Sequence, residues 1–262
     1  MSNLRAIYTI WYRDMLRFWH DRIRMLGSIT FPLLFLFVFG TGLRARMGAL
    51  SPGIDFTQFM FPGVISMTLM MSSFMAGVSV VWDREFGFLK EVLVAPISRS
   101  AVALGKTLGA ATVALLQGLL ILSLGPLVGV SLPVHTVLAL IPLMFLLAGS
   151  IGSFGVVLAT RIRSMEAFQA AMQMLMFPMV FLSGAFFPLG DLPDWMDVLV
   201  KVNPATYGVA SMRLLILGSA PHSPFAVTLF GTTLSVWHNV ALLAAFGACM
   251  VALAVWSFSH QR

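Results

Sequence analysis

Long uncharged apolar runs alternate with short charged connectors along this chain, and the alternation predicts its elements. Residues 56–82 carry no charged side chain, and neither do residues 107–160. A helix needs about 20 apolar residues to cross about 30 Å of hydrocarbon. The runs are continuously apolar and do not alternate, so they predict spanning helices and not barrel strands. Six spans follow, at about 25–43, 59–82, 107–130, 137–160, 167–187 and 239–258. Pro32 is expected to kink the first, and Arg44 and Arg46 end it. Ser131, Pro133 and His135 divide the 107–160 run into two helices. Arg161, Arg163 and Glu166 form a charged turn before the fifth.

Three further segments have their own patterns. At 100° per residue, Leu4, Ile7, Tyr8, Trp11, Met15, Phe18 and Trp19 share one face of a helix over 3–24. Arg5, Arg13, Arg17, His20, Asp21 and Arg24 share the other, which is the pattern of a helix lying in the headgroup plane. Between 83 and 106 lie Asp83, Arg84, Glu85, Lys90, Glu91, Arg99 and Lys106, seven of the chain's 26 charged residues. Pro96 divides this connector. Residues 84–94 predict a short helix with Glu85, Phe88, Leu89 and Val92 about a turn apart, and 97–100 start the helix that becomes the third span. Such a helix fits either a groove on another protein or a solvated loop. Residues 188–237 are broken by prolines. Within them 194–201 predict a short amphipathic helix, and 205–217 an apolar one that dips into the bilayer without crossing it.

Composition agrees with a lipid environment. The 262 residues are 59% hydrophobic and 10% charged, against about 25% charged in soluble domains. The fold class is therefore all-α, a polytopic membrane protein in a single domain over 1–262. The net charge of +6 is assigned to basic anchors on anionic lipid and not to nucleic acid. With the N-terminus inside, 12 of the 16 lysines and arginines face the cytoplasm, leaving Arg44, Arg46, Lys201 and Arg213 outside. Both termini are then cytoplasmic, 83–100 is cytoplasmic and 188–237 is extracytoplasmic. No short apolar core with a cleavage site marks a signal peptide at the start. The single Cys249 reads as a small core residue, and the five histidines show no metal-ligand spacing.

Few residues suggest chemistry of their own. Gly105–Lys106–Thr107 resembles the end of a phosphate loop, but position 100 is Ser100 and no strand precedes it. No acidic residue falls within a predicted span, which argues against an ion-coupled carrier. There is no zinc-protease pair and no nucleophile elbow. Gly149, Ser150, Gly152, Ser153 and Gly155 read as a close helix crossing. Gln117, Gln169 and Gln173 are the deepest polar groups, read first as interhelical hydrogen-bond partners and second as ligands.

The order of features resembles the permease subunits of bacterial ABC-2-type exporters, the group that includes the daunorubicin-exporter and nodulation-factor-exporter permeases. The resemblance rests on Glu85–Phe86–Gly87 leading to Glu91–Val92–Leu93–Val94–Ala95–Pro96–Ile97–Ser98–Arg99 after the second span. It rests also on Phe181–Leu182–Ser183–Gly184–Ala185–Phe186–Phe187–Pro188, and on Asn203–Pro204 with Tyr207 and Arg213. It implies that 1–24 is an elbow helix and that 83–100 holds a coupling helix resting on a separate ATP-binding subunit. Glu85, Gly87, Glu91, Pro96 and Arg99 would form that coupling interface. The chain would bind no cofactor, ATP and Mg²⁺ being held by the partner, and would work as a homodimer in the bacterial plasma membrane. Asn203, Pro204, Tyr207 and Arg213 would belong to an external gate. Methionine-rich spans two and five would line a path for an amphipathic drug, lipid or glycoconjugate, with Met67, Met70, Met71, Phe74, Gln169, Gln173 and Met176 as its walls. The alternative is a self-contained membrane carrier or enzyme without an ATPase.

Overall fold

The computed structural model describes residues 3–47, 56–85, 98–162, 164–189, 192–218, 227–229 and 232–259. The coupling positions Gly87, Glu91 and Pro96 lie outside the described residues. The elements are α1 (Asn3–His20), α2 (Arg22–Met47), α3 (Phe56–Glu85), α4 (Arg99–Ser123), α5 (Val134–Arg161), α6 (Met165–Phe181), α7 (Asp194–Val202), α8 (Pro204–Leu217) and α9 (Val236–Ser259). A short antiparallel hairpin, β1 (Thr228–Leu229) with β2 (Thr232–Thr233), precedes α9 and is a departure from the all-helical expectation.

Local chemistry sets several helix starts. Ser98 caps α4, its hydroxyl accepting from the Ala101 N–H at 3.3 Å. Ser164 caps α6 in the same way at 3.2 Å, with Glu166 in the positive first turn. Asn203 caps α8 and Pro204 occupies its first turn. Helix α4 stops at Ser123, earlier than the expected 130. A 3-10 turn with Pro126 follows, and Gly129 takes the left-handed φ of 82°.

Among the described residues, four helices are long and apolar enough to cross a membrane: α3, α4, α5 and α9. A fifth candidate is the bent pair Asn3–His20 and Met25–Gly40, whose axes turn by 69°. The expected fifth span is shorter than the pattern suggested. Helix α6 has 17 residues, about 26 Å at 1.5 Å per residue. It ends at Phe181, and the chain turns at Gly184, whose φ is +74°. A side chain there would be strained.

Helix α3 is the centre of the structure, with α2, α4, α5, α6 and α8 packed on it. Its crossing with α5 is close because both helices bring glycines. A Cβ on Gly77 would lie 2.4 Å from the Gly155 carbonyl oxygen. Gly152 similarly faces the Ser73 carbonyl, whereas nothing lies within 4 Å of a Cβ at Gly149. Ser150 instead meets Gly247 of α9. The small-residue stretch is thus divided between two partners. Gly77→Leu forces backbones apart, and overpacking of this kind costs about 1–3 kcal/mol. A lowered melting temperature of the detergent-purified chain is expected, with Gly149→Leu as the unaffected control. Cys249 is exposed on α9, not in the core.

Candidate functional site

Two of the connector charges, Asp83 and Lys106, meet Arg13 and Asp14 of α1 in a largely buried ionic joint. Lys106, only 2% exposed, lies within α4 and faces α3. Its Nζ is 2.6 Å from Asp83 Oδ2 and donates to Ser79 Oγ at 2.8 Å. Arg13 of α1 donates to the same Asp83 oxygen at 3.2 Å and lies 3.6 Å from Asp14. Burial pushes the Asp14 carboxyl above its ordinary range, opposed by the charges of Lys106 and Arg13. One acid on α1, one on α3 and one lysine on α4 therefore hold three elements at one point.

Helix α1 reaches that joint by packing on α4. A Cβ on Gly105 would be 2.9 Å from Ile10, and one on Gly109 would be 2.8 Å from an Asp14 oxygen. Trp11 Nε1 donates to Thr112 Oγ1 at 3.0 Å. The glycines four apart are thus a groove for α1, which explains the Gly105–Lys106–Thr107 sequence without a nucleotide. The apolar face of α1 is split: Phe18 is buried, while Leu4, Tyr8 and Trp19 stay exposed.

Each end of the connector is also tied to another helix end. Arg84 donates to the Ala159 and Ile162 carbonyls at 2.9 and 3.1 Å, closing the C-terminus of α5. Positive charge there is favoured by the helix dipole. Arg99 donates to the Ser259 carbonyl at the end of α9, at 3.4 Å. Glu85 is exposed at the last turn of α3.

An apolar groove of about 270 Å³ runs between α2, α3 and α6. Met67, Met71, Gln173 and Met176 line it, together with Phe31 and Phe35. Met70 and Phe74 do not. Both are fully buried, and Phe74 stacks on Phe168 with ring centroids 5.6 Å apart. Gln169 is exposed on α6, away from the groove lining.

The two distal sequence signatures, 181–188 and 203–213, form one unit. Arg213 is 1% exposed and donates to the Gly184 and Ala185 carbonyls at 2.8 and 3.3 Å. Its guanidinium sits 4.1 Å from the centre of the Phe59 ring. Asn203 Nδ2 donates to the Met179 carbonyl at 2.7 Å, and Thr206 to the Leu182 carbonyl at 3.4 Å. Tyr207 donates to the Lys201 carbonyl at 2.6 Å, joining α8 to α7. Gly63 of α3 completes the contact: a Cβ there would be 2.2 Å from the Ala185 oxygen. Pro204 serves in the first turn of α8.

In the sequence, Asp83 and Lys106 read as part of the cytoplasmic connector, and Asp14 does not stand out. A signal was present. Asp14 falls three or four residues from Ile10, Trp11 and Phe18, on the packing stripe of α1. An acid on that stripe requires a cation opposite.

The family described as ABC-2 type transporter matches residues 5–217. The ycf38 protein of Cyanophora paradoxa is 27% identical, over 86% of this chain and 79% of its own. The inner membrane transport permease YadH of Escherichia coli K12 is 26% identical, over 81% of this chain and 83% of its own. Nodulation protein J of Rhizobium meliloti is 26% identical, over 74% of each. With most of its length and all but its last helix inside the matched region, this chain belongs to the ABC-2 type transporter family as a membrane-embedded transport permease.

Proposed function

We propose that the chain is the membrane half of an ATP-driven exporter whose motor is a separate ATP-binding subunit. It moves an amphipathic or lipid-like molecule, such as a drug, lipid or glycoconjugate, out across the bacterial plasma membrane. Two permease chains, as a homodimer, and two ATPases make the working unit, with ATP and Mg²⁺ held by the ATPases. In the membrane the chain makes six crossings: α2, α3, α4, α5, α6 with its following turn, and α9. Helix α1 is the interfacial elbow, α7 and α8 form the outer re-entrant pair, and both termini are cytoplasmic.

The observation that carries this reading is the anchoring of the connector. Asp83 and Arg84 before it, and Arg99 and Lys106 after it, are tied to α1, α4, α5 and α9. Force applied by a docked ATPase on 86–97 enters both flanking helices and is passed to three others. A solvated loop has no need of such ties. Glu85, Gly87, Glu91, Pro96 and Arg99 are the contact surface in this reading. The methionine-lined groove is the substrate wall, because thioethers adapt to varied apolar shapes. Asn203, Pro204, Tyr207 and Arg213 hold the outer gate closed.

The test is co-purification of an ATP-binding subunit, followed by reconstitution. Glu91→Ala and Arg99→Ala should insert normally yet lose at least ten-fold in substrate-stimulated ATP hydrolysis. Transport by the isolated chain in vesicles without ATP would overturn the proposal.

A further inference from the structure

A second cavity of about 270 Å³ lies beside the groove, between α2, α3 and α4. The two share Phe31, Met67 and Met71, so they adjoin through the same residues. Four polar side chains line the second cavity. Ser28 and Thr68 donate to carbonyls of their own helices, at 2.8 and 3.0 Å. Ser72 Oγ and Gln117 Oε1 are buried with no hydrogen-bond partner among the described residues. Gln117 is itself 1% exposed.

An unpaired amide inside hydrocarbon is costly, and buried polar groups are almost always satisfied. Among the described residues this oxygen has no interhelical partner, in contrast to the first expectation for this glutamine. A ligand group held in the cavity would satisfy this oxygen. Gln117 lies eleven residues beyond Lys106 along α4, roughly 16 Å at 1.5 Å per residue. That is about half of a 30 Å hydrocarbon layer counted from the ionic joint. No lipid headgroup rests at that depth. A group on a molecule passing through does.

We infer that the Gln117 carbonyl oxygen, with Ser72, is a mid-membrane subsite for the hydroxyl or amide N–H of an otherwise apolar amphiphile. The Gln117 oxygen accepts, so it favours a substrate group that donates, while the Ser72 hydroxyl can accept or donate beside it. Met67 and Met71 wrap the apolar body, and the donor breaks what would otherwise be indiscriminate apolar binding. The subsite rests on the permease reading only for its purpose. Binding is measured without any ATPase, so a missing motor and a missing site give different results.

The probe is a dodecanol bearing an alkyl diazirine, with its methyl ether as control; the ether accepts but cannot donate. Both are photolysed with the purified full chain in phosphatidylcholine vesicles and mapped by peptide mass spectrometry. Labelling is normalised to the exposed α9 residues Leu242 and Leu253. Labelling of residues 67–75 by the alcohol should exceed that by the ether at least five-fold, and Gln117→Leu should abolish the difference. The melting temperature of Gln117→Leu should equal or exceed that of the native chain, since an unpaired amide has been removed. Equal labelling by alcohol and ether in the native chain overturns the inference. So does a difference that persists in Gln117→Leu. A fall in melting temperature also overturns it, since it would make Gln117 a structural tie.

Discussion

Lys106→Met is expected to destabilise the chain by about 3–5 kcal/mol, the range for removing one partner of a buried ion pair. The cost comes from what is left behind. Asp83 loses its 2.6 Å partner, and Ser79 loses its donor. Arg13, at 3.2 Å, is the remaining cation and comes from a half-exposed position on α1. The check is the melting temperature in detergent, together with the fraction recovered as a single size-exclusion peak. Asp83→Asn combined with Lys106→Met removes both charges and should restore more than half of the loss, because paired changes at one contact are not additive. If the double variant is as unstable as the sum of the two singles, the pair is not the source of the effect. The same variant should weaken coupling. On the proposed coupling, an open joint would release α3 and α4 from α1, so transport should fall more than ATP hydrolysis does.

Much of the fold was legible because lipid makes the sequence pattern stringent. An uncharged run of 27 residues such as 56–82 has one low-energy solution in hydrocarbon, a helix. The start of α4 was legible from Ser98 and the outer helices from their prolines and periodicity. What stayed hidden depends on which side of a helix faces protein and which faces lipid. Both sides are apolar, so Met70 and Met71 look alike in sequence, though one is fully buried and the other is 48% exposed. The same degeneracy hid Phe74, which fits a cavity wall by composition but stacks on Phe168 in the core. Charges near a span end are ambiguous in another way. Lys106 could face water or a buried acid, and only the packing of α1 on Gly105 and Gly109 decides it. The early end of α6 was written in Gly184, a residue that suits a left-handed turn but is also common in spanning helices.

Arg213→Met is expected to release the 182–189 turn from α8. The native arginine supplies two hydrogen bonds to carbonyls of that turn and a stack on Phe59. Without it the Gly184 and Ala185 oxygens remain in a buried site, where an unmet acceptor costs about 1–3 kcal/mol. Relief of a buried charge offsets part of this, so a net loss of about 2–4 kcal/mol is expected. Arg213→Lys should be no better. An ammonium is a point donor without the planar fork, and it cannot hold both carbonyls while lying flat on the ring. The specific readout is access to the turn and not stability alone. Ser183 is 1% exposed, so Ser183→Cys should resist a membrane-impermeant maleimide in the otherwise native chain. Adding Arg213→Met should raise its labelling rate at least ten-fold. Protection that persists in the double variant would mean that Asn203, Thr206 and the Gly63 contact suffice to hold the turn. The turn's attachment to α8 would then not depend on the arginine.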